Sequence, residues 1–223
     1  MNTSLNIEQA RFNMVEQQIR PWEVLDPEIL DLLYLLRRER FVPEAYRALA
    51  FSDLEIPLGS EPGERMWAPR VEARVLQSLR LGKTDRVLEV GTGSGYFTAL
   101  LAHRAGRVFS VEINPRIAKI GEANLAAENI DNVRVEIGDA ALGWARHAPY
   151  DAIVLTASTP VIPELLLGQI KPDGRLFAIV GDEPVMVARV ISRDASGCSV
   201  QKDLFETCIA PLTNALQPAR FQF

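Results

Sequence analysis

The chain has 223 residues, of which 48% are apolar and 24% are charged, a composition that suits one α/β domain able to fold without a metal or disulfide. A net charge of −5 and a pI of about 5.2 argue against a nucleic-acid-binding face, and the cluster Arg37-Arg38-Arg40 is predicted to be the solvated face of a helix. Two histidines and two cysteines without CxxC spacing do not suggest a metal site. The polar amino terminus and the lack of a long apolar run predict a cytoplasmic protein without membrane partners.

The first 80 residues are predicted to form a helical amino-terminal extension that packs on the rest of the chain. Apolar residues recur there at helical spacing, and proline or a capping residue marks the helix ends. The predicted elements are a helix over 7–19 ended by Pro21, a helix over 29–36 capped by Asp26-Pro27, a short helix from Pro43, a loop over 59–63 and a helix from Pro69.

Residues 81–223 are predicted to form the main part of the same structural unit. Short β-branched runs alternate there with helical stretches, which predicts βαβ units and a Rossmann-like, doubly wound, mostly parallel sheet. The runs at 186–191 and 204–210 predict an antiparallel pair at the sheet edge. The other predicted elements are strands at 86–90, 107–112, 133–137, 151–155 and 175–180 and helices at 96–104, 114–129 and 163–170.

A glycine-rich loop lies between the first strand and the first helix of the predicted sheet, where open α/β sheets bind ligands. It reads Glu89-Val90-Gly91-Thr92-Gly93-Ser94-Gly95-Tyr96. A dinucleotide loop would have glycine in place of Tyr96, and a phosphate-binding P-loop would continue with lysine. A carboxylate at Glu89 would repel a pyrophosphate but would pair with an ammonium. The loop therefore favours S-adenosylmethionine, which has an ammonium and a sulfonium, over NAD.

Two further acids follow the next two predicted strands. Glu112, with Ile113 beside it, is predicted to accept hydrogen bonds from both ribose hydroxyls. Asp139 is predicted to bind the adenine amino group, with the Ala140 N–H at a ring nitrogen. Each acid taken alone is equally well explained as a surface carboxylate or a helix cap. An acid near the carboxyl end of each of three strands, in chain order, favours a donor site.

With these residues in place, the chain resembles the protein-L-isoaspartate O-methyltransferase family over nearly its whole length. That resemblance implies a carboxyl O-methyltransferase that methylates isoaspartyl residues of damaged proteins and releases S-adenosylhomocysteine. A carboxylate is already an anion at neutral pH, so the reaction needs no general base. The stretches that resemble the family are 41–59, 87–102 and 148–181. The residues that would hold the donor by resemblance are Gly91, Thr92, Gly93, Ser94, Glu112, Asp139 and Ala140.

The chain departs from the family on the acceptor side. The family has Ile-Ser-x-Pro where this chain has Met66-Trp67-Ala68-Pro69, and the preceding loop, 60–65, is about two residues longer. The family's serine contacts the acceptor, so Trp67 leaves the catalytic residue unassigned. An arginine common in the family falls at Cys208. The acceptor-side candidates are Met66, Trp67, Pro69 and Thr156.

Trp67 has three interpretations. It is a core aromatic residue that packs the following helix, or its indole N–H replaces the serine hydroxyl as a donor, or its bulk closes the isoaspartyl pocket. We expect isoaspartyl activity to be weak or absent, because the serine hydroxyl is gone and a large ring occupies its place. The alternatives for the whole chain are a small-molecule or other protein acceptor, and a protein that binds the donor without transferring methyl. No feature indicates the oligomeric state, for which a monomer is slightly favoured.

Overall fold

The computed structural model describes residues 3–194 and 198–218. Seven of its strands form one mixed sheet, and two very short strands form a separate antiparallel ribbon. The strands are β1 (Ile56–Pro57), β2 (Arg65–Met66), β3 (Arg86–Val90), β4 (Arg107–Glu112), β5 (Val133–Ile137), β6 (Tyr150–Thr159), β7 (Ile170–Asp182), β8 (Val185–Arg193) and β9 (Ser199–Thr207).

The large sheet has the strand order β5-β4-β3-β6-β7-β8-β9. The strands from β5 to β7 run parallel, and β8 and β9 add to the edge in antiparallel fashion. From β3 the chain first winds outward through β4 and β5 and then returns to β6 on the other side. This reversal makes a topological switch point at β3, where sheets of this kind leave a crevice at the carboxyl ends of the strands.

In the described residues, six α-helices flank these strands, with shorter helical turns between them. Asp26 caps α2, because its side chain accepts the Glu28 N–H at 2.9 Å, and Asn114 caps α5 by accepting the Arg116 N–H at 2.9 Å. The α-helices are α1 (Thr3–Asn13), α2 (Pro27–Leu35), α3 (Pro69–Leu79), α4 (Tyr96–Arg104), α5 (Pro115–Ala127) and α6 (Glu164–Gly168). The π-helical turn is Met14–Ile19, and the 3₁₀ turns are Arg20–Trp22, Arg38–Arg40, Glu44–Leu49 and Ala145–His147.

The two faces of the sheet bury different clusters of side chains, because side chains alternate along each strand. One face packs on the amino-terminal segment, so Met14, Phe41, Tyr96 and Phe177 belong to one continuous cluster. The opposite face buries a smaller cluster around Leu88 with Val90, Ile153 and Tyr150 among its members. The amino-terminal 80 residues therefore supply much of the larger core.

The Rossmann-like, mostly parallel sheet with an antiparallel edge is confirmed. Five strand and helix predictions from 86 to 137 match within two residues. The predicted helix over 7–19 is α-helical only to Asn13, and the predicted helix from Pro43 is a 3₁₀ turn. The predicted helix over 163–170 shortens to α6 because Ile170 already pairs with Tyr150 in the sheet. In the described parts of the chain, no helix has the length and apolar character needed to cross a bilayer.

Candidate donor and acceptor site

A cavity of about 620 Å³ opens at the switch point, at the carboxyl ends of β3, β4, β5 and β6. Its size falls in the range of small-molecule sites. Backbone of the glycine-rich loop forms one wall, and the loop 59–65 and the segment 210–213 form two others. The predicted site residues that line it are Gly91, Gly93, Glu112, Ile113, Asp139, Ala140 and Thr156.

The glycines of the loop are needed for its shape. Gly91, Gly93 and Gly95 have φ values of 100°, 55° and 82°. A Cβ on Gly91 would lie 2.1 Å from the Thr156 hydroxyl oxygen, and a Cβ on Gly95 would lie 2.9 Å from the Gly121 carbonyl oxygen. The loop can therefore approach a ligand and α5 with its bare backbone.

Glu112 lies between the loop and the start of α5. One carboxylate oxygen accepts the Gly93 N–H at 3.1 Å, and the other accepts the Asn114 N–H at 3.1 Å. The residue is 8% exposed, and its remaining lone pairs can face the cavity. Ile113 beside it is 40% exposed, an apolar surface next to an acid. This is a geometry in which a carboxylate can bind vicinal hydroxyls.

Asp139 follows β5 on the opposite side of the cavity. Its carboxylate accepts the Ala141 N–H at 3.0 Å and the Asn214 side-chain N–H at 2.8 Å. Ala140 is buried and lines the cavity as predicted. The contribution of Asn214 was missed, because it lies 75 residues away and no local pattern links it to Asp139.

Glu89 does not line the cavity, so the prediction that it pairs with a ligand ammonium is wrong. Its side chain is fully buried, where it accepts hydrogen bonds from the hydroxyls of Thr98 at 2.5 Å and Ser110 at 2.6 Å. Burial raises the pKa of Glu89 to about 8, which favours the neutral acid at pH 7. Ser110 also bonds Thr92 at 2.6 Å. Glu89 therefore supports the loop from below, because alternation along β3 directs it toward α4.

Gly95 and Tyr96 also lie outside the cavity walls. Gly95 packs against Gly121 of α5. Tyr96 is fully buried with the Arg38 guanidinium 4.8 Å from its ring centre, and burial raises the pKa of its phenol. Both residues join the loop to its scaffold. Pro69 likewise lines neither cavity and begins α3.

A second, much smaller cavity of about 30 Å³ lies behind the loop. Gly91, Gly93 and Thr156 belong to the walls of both cavities, so the two are neighbours. The Thr156 hydroxyl lies 2.8 Å from the Val90 carbonyl oxygen and 2.9 Å from that of Gly91. The residues that line the second cavity are Arg65, Met66, Trp67, Glu72, Gly91, Thr92, Gly93, Ser94, Phe97 and Thr156.

Trp67 combines a core position with a position at the second cavity. It is 6% exposed, and its ring centre lies 5.4 Å from that of Phe97 and 6.1 Å from that of Phe177. Trp67 also lines the second cavity, next to Met66. Trp67 is therefore a core residue, as one of the three interpretations predicted, and it also lies at the second cavity.

Arg38 fixes the backbone of the acceptor-side loop, which is the stretch Met66-Trp67-Ala68-Pro69. Its guanidinium donates to the Trp67 carbonyl oxygen at 2.6 Å and to the Ala50 carbonyl oxygen at 2.9 Å, and it forms an ion pair with Glu72. Both charged side chains are 1% exposed, and desolvation raises the pKa of Glu72 against the attraction of Arg38. The prediction of a solvated face is wrong for Arg38, since the 3₁₀ turn directs it into the core.

The loop 59–65 is fastened over the larger cavity. Glu64 accepts hydrogen bonds from the side chain of Asn114 and, at 2.9 Å, from that of Arg116. Arg116 also donates to the Leu58 carbonyl oxygen at 3.3 Å.

Within residues 3–194 and 198–218, no group of three His, Cys, Asp or Glu side chains is placed to hold a metal ion.

A Rossmann-like sheet, a GxGxG loop at its switch point and acids after the next two strands together define an S-adenosylmethionine-dependent methyltransferase. A family model for protein-L-isoaspartate(D-aspartate) O-methyltransferase matches residues 9–217. The chain therefore belongs to the protein-L-isoaspartate O-methyltransferase family.

Individual relatives agree with this assignment. The chain is 42% identical over 198 residues to a protein-L-isoaspartate O-methyltransferase of Anaeromyxobacter dehalogenans, covering 88% of this chain and 93% of the relative. A solved protein-L-isoaspartate O-methyltransferase superposes with a TM-score of 0.79 at 24% identity, over 92% of this chain and 66% of that chain. The structure of a putative Plasmodium falciparum relative in complex with S-adenosyl-L-homocysteine gives 0.76 at 20% identity, over 90% and 97% of the two chains. At these identities the two structures support the fold.

Proposed function

We propose that the chain transfers a methyl group from S-adenosylmethionine to the free carboxylate of an isoaspartyl residue in a protein or peptide. The observation that carries this function is the junction of two cavities at Gly91, Gly93 and Thr156. The larger cavity has the size and the acids that a nucleoside needs. The smaller one leads to the acceptor-side loop around Trp67.

The donor would be held along the wall from β3 to β5. Glu112 would accept the ribose hydroxyls, with Ile113 packing beside them, and Asp139 with the Ala140 N–H would bind the adenine edge. Thr92 and Ser94 stand toward the smaller cavity, where the amino-acid end of the donor would lie. When bound, the donor supplies an electrophilic methyl group on its sulfonium. The residues assigned to the donor are Gly91, Thr92, Gly93, Ser94, Glu112, Ile113, Asp139 and Ala140.

The protein's contribution to the reaction is positioning and the exclusion of water. The acceptor carboxylate is already ionised at neutral pH, so no side chain has to remove a proton. Alignment of two reactants can lower a barrier by about 7 to 11 kcal/mol. Loop 59–65, fastened by Glu64 to Arg116, would cover the larger cavity while the donor is bound.

The test uses two peptides of identical sequence that differ only in an isoaspartyl or an aspartyl linkage. We expect labelled methyl from S-adenosylmethionine to appear in base-labile ester on the isoaspartyl peptide and not on its partner. Calorimetry with S-adenosylhomocysteine tests the donor site separately. Donor binding without methyl transfer to the isoaspartyl peptide would contradict the proposed acceptor.

A second candidate function is methyl transfer to a different acceptor, either a small molecule or another protein site. The observation that favours it is Trp67, which places a large buried ring where the family has serine. Methyl transfer to an unrelated acceptor, with none to the isoaspartyl peptide, would support this candidate.

A further inference from the structure

The two cavities are lined mainly by acidic charge. Glu61, Glu64, Glu112 and Asp139 line the larger one, and Glu72 lines the smaller. Arg116 and Arg38 pair with Glu64 and Glu72, whereas Glu61, Glu112 and Asp139 form no ion pair with the described residues. A carboxylate acceptor is itself an anion, so these three acids oppose its approach to the methyl group. A cation in the cavity wall would offset this repulsion, in addition to the sulfonium of the donor.

Arg65 is the one basic residue among the described residues that line either cavity, and it belongs to the walls of both. It therefore stands at the junction where donor and acceptor would meet. The family's arginine position cannot supply this charge, because Cys208 occupies it and its exposed thiol does not line either cavity.

The guanidinium of Arg65 is available for a ligand. Its Nε donates to the Pro62 carbonyl oxygen at 3.2 Å. Its charge also acts to lower the pKa of Glu55, but among the described residues no carboxylate forms an ion pair with it within 4.0 Å. The backbone is held by the β1–β2 ribbon, in which Pro57 pairs with Arg65 and the Leu58 N–H donates to the Glu64 carbonyl oxygen at 2.7 Å. The side chain is exposed, and it extends from a backbone that the ribbon holds in place. It can therefore contact an incoming ligand.

We propose that Arg65 binds the acceptor carboxylate and determines the specificity of the chain for anionic acceptors, an inference that rests on the proposed function. A guanidinium can hold one carboxylate oxygen while the other attacks. The attacking oxygen uses a lone pair to form a bond to the methyl carbon. The carbon–sulfur bond breaks at the same time, and the electron pair of that bond passes to sulfur. The charge pair of carboxylate and sulfonium becomes a neutral ester and a thioether. Arg65 therefore loses its anionic partner on turnover, which favours release of the methylated product.

The test compares Arg65→Gln and Arg65→Lys with Arg107→Gln. Arg107 is also exposed, but it begins β4 at the amino-terminal end of the parallel strands, whereas the cavities lie at their carboxyl ends. The isoaspartyl peptide provides KM and kcat, calorimetry with S-adenosylhomocysteine provides the donor Kd, and circular dichroism checks folding. We expect Arg65→Gln to raise the peptide KM roughly ten- to hundredfold, which corresponds to the loss of charge-assisted hydrogen bonds. The donor Kd should stay within about twofold of wild type.

Arg65→Lys should recover part of the loss, because it keeps the charge without the planar fork. Arg107→Gln should leave both constants unchanged. An unchanged peptide KM in folded Arg65→Gln would overturn the inference while leaving the proposed function standing. A comparable loss of donor affinity would also overturn it, because Arg65 would then serve the donor's own carboxylate. Wild-type protein that binds S-adenosylhomocysteine but does not methylate the isoaspartyl peptide would overturn both.

Discussion

Glu112 has two partners in the protein and is predicted to gain two more from the ligand. We expect Glu112→Ala to weaken binding of S-adenosylhomocysteine by about 1.5 to 3 kcal/mol, because charge-assisted hydrogen bonds to the ribose disappear. Calorimetry measures this change, and Glu122→Ala, an exposed acid on α5, is the matched control. Unchanged affinity in a folded Glu112→Ala protein would show that another group binds the ribose.

Substitution of Trp67 should change both the free energy of unfolding and the methyltransferase activity, and the two effects can be measured independently. Because it packs between Phe97 and Phe177, we expect Trp67→Ser to lower the free energy of unfolding by about 3 to 5 kcal/mol. Denaturant unfolding measures this loss, and a loss below about 1 kcal/mol would contradict the core position.

The activity of Trp67 variants distinguishes the two functional interpretations of the residue. If the indole blocks the acceptor pocket, folded Trp67→Ser should methylate the isoaspartyl peptide roughly tenfold faster. If the indole N–H acts as a donor, Trp67→Phe should be roughly tenfold slower, because a buried carboxylate oxygen loses its partner. Ordinary activity that responds to neither substitution would leave Trp67 with a packing role alone.

Glu89 is buried where β3, β4 and α4 pack together, and it should make the stability of the protein depend on pH. Glu89 has a pKa of about 8 in the folded protein against 4.5 for the free side chain. Between these values the folded state keeps a proton that the unfolded state releases. The free energy of unfolding should therefore fall as pH rises from about 4.5 to 8, by up to about 1.4 kcal/mol per pH unit, and level off above 8.

Glu89→Gln tests this expectation, because the amide stays neutral and its oxygen can still accept from Thr98 and Ser110. Chemical unfolding at several pH values from 5 to 9 should give a shallower decline for the variant than for wild type. Parallel curves would show that Glu89 is ionised in the folded protein.

The elements that the sequence predicted best are those with strong local signals. β3, β4 and α4 combine a buried β-branched strand, a glycine turn and a helix, and their predicted bounds match the structure. The ends of β6 and β7 were not predictable in this way. After a register shift, Ser158 and Thr159 extend β6 by pairing with β7, and Ser158 also pairs with Pro211. Such pairings depend on distant strands rather than on local propensity.

The site shows the same division between local and distant information. The glycine loop, Glu112 and Asp139 follow strands in a regular order, so their place in the cavity could be predicted. Glu89 satisfied the same motif but faces away, because a motif does not specify which side of the sheet a side chain takes. Arg38 and Glu72 pair across 34 residues, and neither carries a motif.

At the scale of the whole molecule, the amino-terminal segment and the sheet share one hydrophobic cluster. Met14, Phe41 and Trp67 pack in the same cluster as Tyr96 and Phe177. We expect the full chain to unfold in a single cooperative transition, and a fragment of residues 81–223 to lack one, because the core face of its sheet would be exposed. Thermal unfolding followed by near-ultraviolet circular dichroism tests both. A fragment that melts cooperatively and binds S-adenosylhomocysteine would show that the extension is dispensable.

The contact between Arg38 and the Trp67 carbonyl has a consequence for how this enzyme class can diversify. Arg38 holds the acceptor-side loop by the main-chain carbonyl of residue 67, so this hydrogen bond does not require a particular side chain there. Glu112, Asp139 and Ala140 line the larger cavity from other elements, while Gly91, Gly93 and Thr156 line both cavities. If residues 65 and 67 contact the acceptor as proposed, substitutions there would change the acceptor contacts while Glu112 and Asp139 keep their positions, within the limits of core stability. A chain organised in this way is a suitable starting point for directed evolution of acceptor specificity.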